Sequence, residues 1–238
     1  QRQSLSELVQ VKDKIFSILT HDMRSPVNSL ISFVYLLENE EINKDQLSQY
    51  AKELGNTLRG TSALMENLLN WAGTQLQGFD THIEPIALHA VVQDVLTSFS
   101  ATLKQKNIQI ENSINENDGV LADKNLLALV IRNLISNALK FSYAGKTIWL
   151  SMKQHENELT ICIADEGMGM SAEAMEQINQ DTSSTMTSTY GTNKEKGTGL
   201  GLMLCKSFLS MMSGTLSATT NRPQGTIMMI HLPKPTNQ

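Results

Sequence analysis

Asp123-Lys124-Asn125-Leu126-Leu127-Ala128-Leu129-Val130-Ile131-Arg132-Asn133-Leu134-Ile135-Ser136-Asn137-Ala138-Leu139-Lys140-Phe141 is the stretch whose reading sorts the fold. Asp123 is suited to an N-cap, and the apolar residues that follow predict one strongly apolar helix running to about Phe141. Asn133, Asn137 and Lys140 lie four and three apart, so they share a face while Leu134 and Ala138 point elsewhere. Two carboxamides and an ammonium on one face offer oxygen ligands to Mg²⁺ and charge to phosphate. The competing reading is a solvated polar face opposite a core stripe.

Two glycine motifs lie downstream. Asp165-Glu166-Gly167-Met168-Gly169-Met170 follows a β-rich run ending in Ile161-Cys162-Ile163-Ala164. A carboxylate at a strand end can accept from an exocyclic amine, and glycines let the backbone approach a flat ligand closely. Taken alone, the pattern also fits an ordinary turn. Lys196-Gly197-Thr198-Gly199-Leu200-Gly201-Leu202 leads glycines and a hydroxyl into a helix, whose free N–H groups make an anion site. The spacing is neither Gly-x-x-x-x-Gly-Lys-Ser/Thr nor a strand-borne Gly-x-Gly-x-x-Gly, so P-loop and Rossmann readings fail.

Upstream, Phe16-Ser17-Ile18-Leu19-Thr20-His21-Asp22-Met23-Arg24-Ser25-Pro26-Val27 sets an imidazole in a helical run. Leu8, Val11, Ile15, Ile18 and Leu19 recur at helical spacing and lead an apolar face up to His21. Pro26 should bend the helix just beyond it. Leu5 to Glu38 reads as one long helix. Asn43 can cap a second, running to about Leu76 and including Trp71 as a packing residue. Two helices of ~30 residues extend roughly 50 Å and cannot bury such a face as a lone pair. A homodimer forming a four-helix bundle is therefore expected.

Gly73 to Asp80 carries two glycines and marks the expected boundary between residues 1–76 and 77–238. Beyond it, His82 to Ile86 reads as a short strand, Leu88 to Lys106 as one amphipathic helix, and Ile108 to Asn112 as a strand. Thr147–Met152 and Glu158–Ala164 form a hairpin around His155-Glu156-Asn157. Leu200–Met212 is a helix, and Thr215–Thr220 and Thr226–Leu232 close the sequence as a second strand pair. Gln180 to Lys196, rich in Ser, Thr, Asn and Gly, reads as a mobile loop. The fold class expected is α plus α+β: a helical hairpin followed by an α/β sandwich with helices on one sheet face. No internal repeat is apparent.

The 238 residues suffice for two domains, and a formal net charge of -5 excludes the broad basic field of a nucleic-acid binder. Cys162 and Cys205 are far apart in apolar settings, which indicates packing thiols in a reducing, cytoplasmic compartment. No apolar run approaches the ~20 residues of a membrane span, and Gln1-Arg2-Gln3-Ser4 is not a signal peptide. The abrupt helical start leads us to expect an upstream sensor or membrane region outside this chain. His82, His89, His155 and His231 lack paired metal-ligand spacing.

In this order, a His-bearing helix, an Asn-rich helix, Asp-x-Gly-x-Gly and a late Gly-x-Gly-x-Gly, the chain resembles the sensor histidine kinases of two-component signalling from about Leu5 to Pro233. The resemblance implies a dimerisation and histidine-phosphotransfer hairpin, then an ATP-binding domain of the gyrase, chaperone and histidine-kinase type. His21 would accept phosphate, with Asp22 orienting or deprotonating its imidazole, and the phosphoryl group would pass to an aspartate in the receiver domain of a response regulator. By similarity Asn137 would ligate Mg²⁺, Asn133 would support that site, Lys140 would approach the phosphates of ATP, and Phe141 would pack on adenine. Asp165 would read the adenine amine, Gly167 and Gly169 would permit the approach, and Gly197, Thr198, Gly199, Leu200 and Gly201 would line the phosphate end beneath a lid from about Gln180 to Lys196.

Three departures stand out. Asp22 occupies the place of the family's usual Glu. Ser25 stands where Thr or Asn often helps to dephosphorylate the partner. The family's phenylalanine segment is not evident in Ala174-Met175-Glu176-Gln177-Ile178, which leaves Met175 and Ile178 as candidates to dock the lid. Hydrolytic relatives of the gyrase and chaperone type are expected to carry a glutamate base where this helix has Asn133, and asparagine cannot act as that base. That difference favours transfer to protein over hydrolysis.

Overall fold

The computed structural model describes residues 26–38, 43–52, 54, 55, 58, 61, 65, 81–180, 191, 192 and 200–234. The chain divides into two compact units, Gln1–Gly78 and Phe79–Gln238.

In the first unit residues 26–38 form helix α1 and residues 44–52 form helix α2, with helix continuing at 54, 55, 58, 61 and 65. Asn43 caps α2 through a reciprocal pair. Its Oδ1 accepts from Gln46 N at 2.9 Å, and its own N donates to Gln46 Oε1 at 3.3 Å. The segment around His21, any bend at Pro26, Trp71 and the Gly73–Asp80 boundary stretch lie outside the described residues. Along α1, Val27, Leu30, Ile31 and Val34 follow an i, i+3, i+4, i+7 pattern and are all exposed, Ile31 by 60%.

The second unit opens with β1 (Glu84–Ala87), α3 (Leu88–Ser98) and α4 (Ser100–Lys106), then β2 (Gln109–Asn112), β3 (Gly119–Ala122) and α5 (Lys124–Phe141). The single helix expected from Leu88 to Lys106 is in fact two. Phe99 leaves helical geometry at φ -100, ψ 4, and its N–H reaches back only three residues to Leu96 O. Thr97 and Ser98 direct their hydroxyls onto the carbonyls of Gln93 and Val95, which competes with helix continuation. β3 was not expected. It pairs antiparallel with β1, Ile86 opposite Val120, and leads straight into Asp123.

The chain continues through β4 (Thr147–Gln154), β5 (Glu158–Asp165), α6 (Ala172–Asn179), α7 (Leu200–Met211), β6 (Thr215–Thr220) and β7 (Thr226–Pro233). Five strands form one mixed sheet in the order β2-β4-β5-β7-β6, with β2 parallel to β4 and the other pairs antiparallel. The pleat places Ile148 and Leu150 of β4, Ile161 and Ile163 of β5, and Ile230 of β7 toward the helices, each nearly fully buried. Leu127, Ile131, Leu134 and Ile135 of α5 supply the facing layer. Burying each such side chain contributes roughly 1.5–3 kcal/mol relative to exposure. α5 lies at the centre, packed on α3, α7 and β5, so its polar face is held on a rigid element. Among the described residues no helix is long and apolar enough to cross a membrane.

Candidate functional site

Asp123 caps α5 with one carboxylate oxygen, accepting from Asn125 N at 2.9 Å and Leu126 N at 3.1 Å. Burial of the apolar stripe sets the rotation of the helix: Leu134 and Ala138 turn inward while Asn133, Asn137, Lys140 and Phe141 stay partly exposed. Asn137 Nδ2 donates to Asn133 Oδ1 at 3.2 Å. That bond uses the amine end of Asn137 and leaves its Oδ1 as the oxygen that fits a hard cation. Among the described residues there is no group of three His, Cys, Asp or Glu able to hold a metal ion, so a cation here would keep several ligands from water or phosphate. The Lys140 ammonium lies 4.8 Å above the Phe141 ring centroid.

Asp165 ends β5 on the same face as Ile161 and Ile163, directed beneath the helix layer and only 5% exposed. Its Oδ1 accepts from Gly167 N at 2.8 Å and from Thr226 N at 3.2 Å. No hydrogen bond among the described residues ends on Oδ2. Burial pushes the Asp165 carboxyl above its ordinary value, and the two backbone donors offset only part of that rise. A buried carboxylate with one oxygen fixed and the other open suits an incoming N–H donor such as an amine.

The loop after Asp165 is close-packed. Ser142 forms an isolated bridge with Gly167, and Met168 N donates to Phe141 O at 3.1 Å. A Cβ on Gly167 would run into the Phe141 carbonyl, so glycine is required by proximity. Gly169 has φ +79, in the left-handed region. At the other end, Gly201 brings the first turn of α7 against the Asn133 amide, where a Cβ would sit 2.6 Å from Oδ1.

Asn133, Asn137, Lys140, Phe141, Asp165, Gly167, Gly169, Leu200 and Gly201 all lie in the second unit, where contacts join Asn137 and Gly201 to Asn133, Lys140 to Phe141, Phe141 to Met168 and Gly167 to Asp165. Gly197, Thr198 and Gly199, and most of the lid expected over 180–196, lie outside the described residues, as do His21, Asp22 and Ser25. Ile178, considered for docking the lid, is a core residue at 2% exposure. Sequence reasoning missed the support that the β6–β7 hairpin gives Asp165. Asn221 Nδ2 donates to Asp165 O at 2.9 Å, Thr226 N bonds its carboxylate, and Gly225, at φ +129, presses its backbone against the Asp165 carbonyl. The available signal was the Gly225-Thr226 pair at the start of β7, which antiparallel pairing sets beside the end of β5.

Residues 122–236 match the family of histidine kinase-, DNA gyrase B- and HSP90-like ATPases. Over 230 residues and 96% of its length the chain is 26% identical to Sporulation kinase C of Bacillus subtilis, and it spans 50% of that protein. In fold it is similar to the Acinetobacter baumannii histidine kinase AdeS, with a TM-score of 0.69 and 23% identity over 91% of this chain and 98% of that one. It is similar also to the histidine kinase ThkA, solved in complex with the response regulator protein TrrA, with a TM-score of 0.70 and 19% identity over 98% of this chain and 64% of the other. The chain is a relative of the sensor histidine kinases, and its residues 122–236 are an ATP-binding domain of the histidine kinase-, DNA gyrase B- and HSP90-like ATPase family.

Proposed function

We propose that the chain is the catalytic core of a protein-histidine kinase that phosphorylates His21 from ATP and relays the phosphoryl group to an aspartate of a response regulator. The observation that carries this reading is Asp165, a buried carboxylate with Oδ1 held by two backbone donors and Oδ2 open, beneath a helix lined with Asn133, Asn137 and Lys140. Asp165 would accept from the adenine amine, and Gly167 and Gly169 would admit the ring beside Phe141. Lys140 and the turn Gly197, Thr198, Gly199, Leu200 and Gly201 would neutralise and orient the phosphates. Asn137 Oδ1, steadied by Asn133, would hold Mg²⁺, which supplies charge neutralisation to the phosphates when bound. Phosphoryl transfer needs chiefly this positioning and charge compensation.

In the transfer itself, the unprotonated ring nitrogen of His21 attacks the γ-phosphorus. A P–N bond forms as the bond to the β,γ-bridging oxygen breaks and ADP departs. Asp22 accepts a hydrogen bond from the near ring nitrogen or takes its proton, so that the far nitrogen is the one that attacks. In the relay the P–N bond breaks and an acyl phosphate forms on the regulator's aspartate.

Residues 1–76 would be the dimerisation and phosphotransfer hairpin and 77–238 the catalytic domain, acting in the cytoplasm. The exposed apolar stripe of Val27, Leu30, Ile31 and Val34 supports a homodimer, because it has the spacing of a bundle seam. Hydrolysis of the gyrase or chaperone kind is disfavoured because Asn133 offers an amide, already bonded to Asn137, where a base would be required.

The test is incubation with γ-labelled ATP and Mg²⁺ followed by acid. Acid-labile label that disappears in His21→Gln, and in Asn137→Ala, is expected. Phosphate release that continues unchanged in His21→Gln, with no acid-labile label in the wild type, would sink the kinase reading.

A further inference from the structure

Lys106 ends α4 and is only 9% exposed, an unusual place for an ammonium. Its Nζ donates to Leu139 O at 2.6 Å, Lys140 O at 3.1 Å and Thr192 Oγ1 at 2.8 Å. Two of these acceptors are carbonyls of the last turn of α5, which carry the negative end of the helix dipole and have no partner within the helix. Thr192 closes the knot. Its N donates to Lys140 O at 3.1 Å, and its hydroxyl lies 3.0 Å from both Lys140 O and Ser142 O. Lys140 O already accepts from the ammonium and the Thr192 amide, so the hydroxyl proton is better spent on Ser142 O.

The same turn of α5 faces the nucleotide site on its other side. Phe141 O accepts from Met168 N, and Ser142 bridges Gly167. The end of α5 thus couples the Asp165–Gly169 loop to Lys106. We propose that Lys106 is a positioning residue for ATP: its ammonium, with Thr192, clamps the last turn of α5 and so holds Phe141 and the adenine-side loop in the binding geometry. The inference rests on the nucleotide reading given above.

Without the ammonium, Leu139 O and Lys140 O lose a charged donor and the turn frays. If the competent geometry then holds about a tenth of the time, apparent affinity falls roughly tenfold. The experiment measures ATP binding in the presence of Mg²⁺ by calorimetry, and KM and kcat for autophosphorylation, in the wild type, Lys106→Met, Thr192→Val and the double variant. Amide exchange at Phe141, Ser142 and Met168 is followed alongside. Lys106→Met is expected to raise the dissociation constant and KM by about tenfold with kcat within about twofold, and to speed exchange at those three amides. Thr192→Val, the milder change, should cost a few-fold, and the double variant should be no worse than Lys106→Met, because both act at one node. Unchanged affinity in both single variants, or losses that multiply in the double variant, overturns the clamp while leaving the nucleotide reading intact. A wild type that fails to bind ATP overturns both.

Discussion

Asp165→Asn separates the two demands made on this residue. Oδ1 accepts from Gly167 N and Thr226 N, so in the variant these donors must select the amide oxygen, and the NH2 group takes the place of Oδ2. The local fold keeps both of its hydrogen bonds. An adenine amine arriving at that place meets a donor instead of an acceptor. Losing a hydrogen bond to a charged acceptor and leaving donors opposed costs about 2–4 kcal/mol in binding. That corresponds to roughly 30- to 700-fold in the dissociation constant for ATP. Stability should move the other way. Burial raises the carboxyl pKa in the folded chain above its ordinary 3.8, so the native state binds this proton more tightly than the unfolded state does. Its stabilising contribution is complete below the unfolded value and is lost as pH rises through the folded value, which leaves the ionised group a net cost at pH 7. Asp165→Asn should therefore unfold at the same or a higher temperature than the wild type at pH 7, with the advantage narrowing toward pH 4. Calorimetric titration with ATP and thermal unfolding across pH 4–7 measure both effects. Undiminished ATP affinity, or a melting temperature that falls at pH 7 and recovers in acid, would refute the reasoning.

Gly201→Ala puts a Cβ 2.6 Å from Asn133 Oδ1 and 2.7 Å from Nδ2, so the Asn133 side chain must rotate and release Asn137. The gain in helix propensity of about 1 kcal/mol offsets the strain, so unfolding by heat should change little while Mg²⁺-dependent ATP binding weakens about tenfold, or 1.4 kcal/mol; equal binding in calorimetry would remove the close approach as a determinant. Glu158 is held below its ordinary 4.5 chiefly by the hydrogen bond with His231 Nδ1 at 2.9 Å, so it adds stability above that value and loses it as pH falls through the lowered one. Glu158 is half-exposed, so the pair is solvent-screened: Glu158→Gln should cost about 0.5 kcal/mol or less at pH 7 in urea unfolding, and the difference should vanish in acid.

The sequence made legible whatever is written in local periodicity. α5 was readable end to end because its cap, its apolar stripe and its polar face all depend on neighbours within four positions. The two hairpins were readable because polar turns separate β-rich runs. The break at Phe99 was hidden because Val91, Val92, Val95, Leu96, Phe99 and Leu103 keep helical spacing straight through it, whereas the cause lies in two hydroxyls turning onto backbone carbonyls. β3 was hidden because Gly119–Ala122 is four residues long and pairs with a strand more than thirty positions away.

The same distinction runs through the site. Motif residues advertise themselves by type, since a ligand chooses its carboxylate, amides and glycines. The residues that aim them do not. Thr226 contributes only a backbone N–H to Asp165, a contact any residue but proline can make. Lys106 lies in a polar helical turn, where a lysine reads as a solvated end, and only three-dimensional proximity shows its ammonium spent on α5. Such supports are set by register, as when Ala164 pairs with Ile227 and brings the start of β7 to the end of β5. A one-residue slip of that pairing would turn Asp165 away from Thr226 while leaving every motif intact. The register of β5 against β7, more than the motif spelling, therefore decides whether the carboxylate is held ready for an amine.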